Sequence, residues 1–357
     1  MPEALLEIRE THGAFERIEA WLRGHGFFAP GGEMLSADVY LGYGLSREIR
    51  RNSSPAPPEP CAALPLAACR LRGATASGPS GGQARVGEWE KTWTAAEYRA
   101  AVDEIRSAIA RGDVYQVNLV QHLAAPFSGD PRALSSLLEH LKPLHPVPFA
   151  TDAWAVVSAS PELFLARRGR RVWTMPIKGT RPLGEAAELQ SSEKDAAEHV
   201  MIVDLERNDL SRICDAGTVR WPELMATREL AGVEHMVSTV EGRLREDAGL
   251  AEILGATFPG GSVTGAPKIA AVDHIARLEP VGRGASMGAI GRIHGNGDFE
   301  LALTIRTFAI AEGTIHLWVG GGIVWDSDPA TEVEESWTKA RPLLDAIGAP
   351  LPEAVAT

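Results

Sequence analysis

Residues 295–310 constrain the fold more than any other stretch of the chain. Gly295-Asn-Gly-Asp298 has the composition of a tight turn, and behind it Leu301, Leu303 and Ile305 alternate with Ala302, Thr304 and Arg306. A period of two belongs to a strand with one face in a core, and Asn-Gly is a strong hairpin turn. The pattern predicts a hairpin whose second strand runs unbroken over 299–310, with Arg306 mid-strand. Further strand patterns at 155–158, 163–166 and 172–175 follow one another, the last two joined by the basic turn Arg168-Gly169-Arg170. Helical spacing falls irregularly among them, at 14–24, 94–112, 133–141, 192–214, 249–257, 266–278 and 329–347. The second of these opens with Thr94 and Glu97, a capping-box pair. Additional strands are predicted near 38–42, 114–120, 218–221 and 236–245. Hairpins and scattered helices without regular βαβ alternation predict an α+β fold rather than a doubly wound parallel sheet.

Composition narrows the function classes. The chain has 357 residues, 45% of them hydrophobic, enough for a sizeable core. Its 35 basic against 47 acidic residues give a net charge of −12, which argues against nucleic acid as a partner. No apolar run reaches the roughly 18 residues of a membrane-spanning helix. Met1–Glu10 mixes charges with Leu and Ile and has no signal-peptide core. Three cysteines, Cys61, Cys69 and Cys214, are too few and too scattered for a disulfide framework or a zinc site. The expectation is a soluble, cytoplasmic protein. Pro55, Pro57, Pro58 and Pro60, with the Gly/Ser/Ala-rich stretch at 73–83, mark residues 1–90 as a reduced N-terminal lobe ahead of a domain spanning 91–350.

Four groups of residues carry chemistry. Asp195 and Glu198 lie three apart on one predicted helix, Glu332 and Glu335 three apart on another. This spacing puts each pair on one helix face. Two such faces across a pocket would hold a hard cation such as Mg²⁺, although acidic faces are more often solvated helix surface. Lys178, within Pro176-Ile-Lys-Gly-Thr180, follows a strand and stands beside a glycine that lets a ligand approach the backbone. On sequence alone it reads more readily as an exposed turn lysine. Ser262, Thr264 and Gly265 lie in a Gly/Ser/Thr loop that runs into a helix, an arrangement whose backbone N–H groups favour anions. The Gly320-Gly321-Gly322 run invites the same reading. Arg306 suits a carboxylate, and His235 is a candidate proton carrier.

Taken in order, these segments resemble the chorismate-utilising enzymes. The resemblance spans about residues 94–347 and rests on several motifs in register. They are Gly112-Asp-Val-Tyr-Gln-Val-Asn-Leu119, Ser160-Pro-Glu-Leu-Phe164, Pro176-Ile-Lys-Gly-Thr-Arg181, the run from Glu198 to Asp209, and His235-Met-Val-Ser238. Ser262-Val-Thr-Gly-Ala-Pro-Lys268, Ile305-Arg-Thr307, Gly320-Gly-Gly-Ile-Val324 and Glu332-Val-Glu-Glu-Ser336 complete the set.

The resemblance implies two facing β-sheets wrapped by helices, with chorismate and Mg²⁺ at a central site. It makes Glu198 and Glu335 the principal Mg²⁺ ligands, with Asp195 and Glu332 direct or water-bridged. It places Gly179, Thr180, Ser262, Thr264, Gly265, Arg292, Arg306, Gly320, Gly321, Gly322 and Lys339 against the substrate. Arg292 stands where many members have Tyr, and Trp325, often Ala, would narrow a wall.

Within the family, the branch that aminates chorismate at C4 carries Lys at position 178, and anthranilate synthases carry Ala. That lysine attacks ring carbon C2, and ammonia from a separate glutamine amidotransferase subunit then displaces it, with His235 as proton shuttle. Isochorismate and salicylate synthases place a Lys base where this chain has Gln116. The resemblance thus implies a magnesium-dependent aminodeoxychorismate synthase component I serving 4-aminobenzoate and folate synthesis. The alternatives are anthranilate synthase component I and a non-catalytic chorismate-binding subunit.

Overall fold

The structure is a computed structural model that describes residues 4–73, 82–181, 183–191, 193–230 and 233–349. Among these residues the strands form two antiparallel sheets, one of ten strands and one of eight. The fold class is α+β, as the hairpin pattern predicts. The larger sheet runs, neighbour to neighbour, through Leu5–Ile8, Ala67–Leu71, Ser36–Leu41, Ala289–His294, Phe299–Leu303, Leu163–Arg168, Arg171–Met175, Val233–Arg243 and Ile177–Arg181. Arg220–Leu230 forms a long hairpin with Val233–Arg243. The smaller sheet is built on Gln116–Gly129 and Thr314–Ile323, paired from Pro126–Thr314 to Val117–Ile323. Three strands from the first ninety residues lie in the larger sheet, where Ser36–Leu41 pairs with Ala289–His294.

The alternating stretch at 299–310 is not one strand. Phe299–Leu303 belongs to the larger sheet and Thr307–Ala311 to the smaller, so the chain crosses between sheets at 304–306. Alternation continues on both sides, which is why periodicity alone cannot reveal the break. Two devices hold the crossing. The buried Thr304 hydroxyl donates to Ala285 O at 2.5 Å and accepts from Gly288 N at 2.7 Å. Arg306 takes φ +50, a left-handed conformation uncommon outside glycine and often found at functional sites. Arg306 therefore sits in a crossover rather than mid-strand.

Other boundaries move for local reasons. The capping box forms, with Thr94 Oγ1 accepting from Glu97 N and Glu97 accepting from Thr94 N, and the helix Ala95–Ala110 buries Tyr98, Val102 and Ile105. The long helix is Glu193–Ser211, shorter than the predicted 192–214. Its end tightens through Arg212 N to Asp209 O and Ile213 N to Leu210 O. Cys214 thus lies beyond the helix, buried and bridged to Leu244. The predicted helix 266–278 begins only at Lys268, because Gly265–Ala266 pairs as a short strand with Val117 and Gln116. The C-terminal helix is Pro329–Ala346, capped by Asp328. No helix among the described residues is long and apolar enough to cross a membrane.

One buried ion pair fastens the sheet to the loop that precedes helix Lys268–Leu278. Arg283, only 1% exposed, binds Glu279 through Nη2 and Nε at 2.6 and 2.8 Å. It also donates to Val263 O and Asn118 O, both at 2.8 Å, while Glu279 accepts from Val120 N at 3.1 Å. Removing one partner of such a pair leaves a buried uncompensated charge. Arg283→Met is therefore expected to cost about 3–5 kcal/mol, read as a lower denaturant midpoint. A loss under 1 kcal/mol would show that the pair is dispensable.

Candidate active site

The strand Ile177–Arg181 carries Lys178 and pairs with Val233–Arg243, Lys178 opposite Met236. Register shifts beyond Lys178, and Gly179 takes φ +66, a conformation that glycine adopts without strain. The bulge turns the Gly179 carbonyl toward His235, whose Nδ1 lies 2.9 Å away. A carbonyl only accepts, so Nδ1 carries the proton and Nε2 is the basic nitrogen of the neutral ring. Burial pulls the His235 pKa down, opposed by the Gly179 bond and reinforced by the nearby Arg306 charge.

Glu162 is the acid at this centre that sequence reasoning missed. It is buried, accepts from Ser262 Oγ at 2.7 Å, and faces the charges of Lys178 and Arg306. Burial pushes its carboxyl up, while Ser262, Lys178, Ile177 N and Arg306 act in the opposite sense. His199 is a second residue not singled out from sequence. Fully buried on the long helix, it lies 2.5 Å from Ser238 Oγ through Nε2. Burial, reinforced by the Lys178 charge, lowers its pKa to about 4, so the ring is neutral. Half-buried Lys178 thus acts on an acid and on a neutral imidazole. The available signal was that Glu162 and His199 are polar residues inside Ser160-Pro-Glu-Leu-Phe164 and Glu198-His199, segments otherwise read for their neighbours.

A second group gathers on the smaller sheet. Gly320, Gly321 and Gly322 pair with Val120, Leu119 and Asn118. A Cβ on Gly320 would come within 1.9 Å of Leu119 O, so only glycine fits that pairing. A Cβ on Gly321 would sit 3.2 Å from Lys339 Nζ and 3.4 Å from carboxylate oxygens of both Glu332 and Glu335. The missing side chain therefore leaves a cradle onto which the C-terminal helix directs three charged groups. Lys339 Nζ donates to Glu335 Oε1 at 2.6 Å and to Gly320 O at 3.0 Å. Gln116, fully buried, lies against Gly322, and neither side-chain amide atom has a hydrogen-bond partner. Ser262–Gly265 connects the two groups. Gly265 packs on the Gln116 backbone, Thr264 O accepts from Asn118 N at 2.8 Å, and Ser262 reaches Glu162. The Thr264 hydroxyl donates to Gly260 O at 2.9 Å and so holds the loop itself.

Asp195 and Glu198 are half-buried on the long helix, which packs against the strands of Lys178 and His235. The four acids present hard oxygen donors of the kind Mg²⁺ takes, and the Gly321 cradle leaves room beside two of them. Among the described residues no three His, Cys, Asp or Glu side chains gather into a closed metal cluster.

Arg292 is not brought to this centre. It lies opposite Asp38 across the strands and reaches it at 3.3 Å, sharing that buried carboxylate with Arg72 at 3.1 Å and Arg70 at 3.7 Å. The Tyr-to-Arg exchange is thus satisfied by an internal ion-pair cluster. Trp325 is 54% exposed with Arg106 over its ring, so it forms no inner wall. The Thr180 side chain lies outside the described residues.

Comparison with known proteins identifies the family. The family described as chorismate binding enzyme matches residues 36–345. Anthranilate synthase component 1 of Thermus thermophilus is 42% identical over 304 residues, covering 82% of this chain and 65% of that protein. Its Streptomyces coelicolor counterpart is 40% identical over 272 residues, covering 72% and 53%. Aminodeoxychorismate synthase component 1 of Escherichia coli is 38% identical over 269 residues, covering 72% and 59%. The chain thus spans about half to two thirds of the length of these relatives. The crystal structure of anthranilate synthase component I from Streptococcus pneumoniae superposes with a TM-score of 0.75 at 26% identity, covering 86% of this chain and 80% of that one.

Proposed function

The chain belongs to the chorismate binding enzymes, and from that premise we propose that it aminates chorismate at C4 with ammonia. The product is 4-amino-4-deoxychorismate with the pyruvyl ether intact, the reaction of an aminodeoxychorismate synthase component I. The observation that carries the reading is Lys178: an amine on a bulged strand, acting on buried Glu162 and neutral His199, beside the carbonyl that orients His235.

The chemistry follows from these placements. Lys178, in its neutral amine form, bonds to ring carbon C2 as the C4–O bond breaks, that bond's electron pair leaving with the oxygen. Glu162, whose carboxyl burial pushes up, gives that oxygen a proton from its acid form, so the leaving group is water. Ammonia then bonds to C4, and the C2–N bond breaks with its electron pair returning to Lys178. His235 Nε2 is the base for the proton that the adding ammonia loses. Arg306, Lys339 and the Gly320–Gly322 backbone hold the substrate carboxylates. Asp195, Glu198, Glu332 and Glu335 are the residues that would hold Mg²⁺, which would supply charge to neutralise a carboxylate and ease departure of the hydroxyl. Gln116 supplies no base for water, which disfavours hydrolytic attack at C2. Ammonia comes from a separate glutamine amidotransferase subunit, and the product leads to 4-aminobenzoate and folate.

Mass spectrometry tests the covalent step. Chorismate and Mg²⁺, quenched before ammonium is added, should leave a chorismate-derived mass on the peptide containing Lys178. Product formation with no such adduct at any quench time would remove the nucleophile role. A second reading, anthranilate synthase, is favoured by the relatives of that name at 40% and 42% identity. It predicts pyruvate release and activity that survives loss of Lys178.

A further inference from the structure

A second buried carboxyl stands behind Glu162, and the function proposed above leaves it unused. Glu206, on the long helix, is 8% exposed and accepts from Thr174 Oγ1 at 3.1 Å. Its Cγ packs on Gly261, the residue before the serine that donates to Glu162. One turn further along the helix, Asp209 pairs with Lys268, which also donates to Thr257 O at 3.0 Å. Between Glu206 and Asp209 lies a cavity of about 10 Å³, also lined by Thr174, Thr257 and Gly260, with room for a single water. The charged groups facing Glu206 are Glu162 from the loop before Leu163–Arg168, Asp209 on its own helix, and Lys268 at the start of the helix Lys268–Leu278.

We propose that Glu206 is a positioning residue that holds a proton for Glu162, the two carboxyls forming a dyad that continues through the cavity to Asp209 and Lys268. The inference rests on the role given to Glu162 above. When Glu162 gives its proton to the departing oxygen, it becomes a buried carboxylate with few ways to regain one. Glu206 passes its own proton to Glu162 and is refilled from solvent on the side of Asp209, while His235 releases to solvent the proton it took from ammonia, so no net proton is gained or lost over a turnover. Lys268 keeps 11% exposure and marks the end of the path nearest solvent. The environment suits a proton holder: burial, reinforced by Glu162 and Asp209, pushes the Glu206 carboxyl up to about 8, against Thr174 and Lys268.

Two substitutions separate this role from mere packing. Glu206→Gln keeps the shape and the bond from Thr174 but cannot pass a proton. Glu206→Asp shortens the side chain but remains an acid. The dyad predicts a fall in kcat of about tenfold for E206Q, with KM within about twofold, a displaced pH–rate profile, and a smaller loss for E206D. A packing role predicts the reverse order, the isosteric E206Q being the milder change. Either that reverse order or an E206Q enzyme with wild-type kcat and pH profile overturns the proposal.

A measurement without chorismate decides the proton-holding part. Because the folded pKa lies above the ordinary 4.5, the native state binds the extra proton, and the wild type loses stability as pH rises from about 4.5 through about 8. E206Q lacks this titration and should gain stability relative to wild type across that window. A pH-independent difference between them overturns the dyad whatever the enzyme makes. Wild type that forms no 4-amino product while the pH-dependent difference persists overturns the functional reading, and with it the relay to Glu162, and leaves standing only that Glu206 holds a proton.

Discussion

Lys178→Ala is expected to abolish amination of chorismate, lowering kcat by at least about 10³-fold even with free ammonium salt in excess. The size follows from the role. Alanine removes the atom that bonds to C2, and the neighbouring groups supply no substitute: Glu162 is an acid, and His199 is bonded to Ser238. The fold should survive, because Lys178 is half-buried on a strand whose backbone pairing at Met236 does not involve its side chain. Chorismate binding should change little, since Arg306, Lys339 and the glycine strand hold the carboxylates. A K178A protein that binds chorismate and aminates it at the wild-type rate would eliminate covalent catalysis.

The second large effect concerns the acidic faces. Glu198→Gln and Glu335→Gln are each expected to lower activity by on the order of 100-fold or more, partly recovered at high Mg²⁺. Each keeps the side-chain shape and removes one charge. For Glu335 the exchange also weakens the contact with Lys339, now 2.6 Å, so that variant should raise KM for chorismate as well. For Glu198 the exchange should appear mainly as a weaker Mg²⁺ dependence of kcat. Isothermal titration with Mg²⁺ in the absence of chorismate gives an independent reading. Unchanged Mg²⁺ affinity in both variants would place the metal elsewhere.

Local patterns made much of this molecule legible. The capping box at Thr94, the helix at 14–24 and the C-terminal helix follow from spacing and caps, which depend on near neighbours alone. Lys178, His235 and Ser262 were legible as chemical residues, and the structure brings them together through Gly179 and Glu162. What escaped depends on contacts distant in sequence. The break at 304–306 is invisible to periodicity, because both halves alternate and only the choice of sheet differs. Of the hairpin 220–243 the second strand was read over most of its length, at 236–245, but the first only near 218–221, because Arg220–Leu230 mixes charged and apolar residues without regular alternation. Arg292 was assigned by its place in a motif, whereas its partner Asp38 lies on a strand more than 250 residues earlier. Glu162 and Glu206 draw their character from burial, which composition does not reveal.

The identity of the product tests the account most directly. Chorismate, Mg²⁺ and ammonium salt with the purified protein should yield 4-amino-4-deoxychorismate, the pyruvyl ether retained and no pyruvate released. Fluorescent anthranilate with stoichiometric pyruvate would contradict the account and make the chain an anthranilate synthase, with Lys178 no longer its nucleophile.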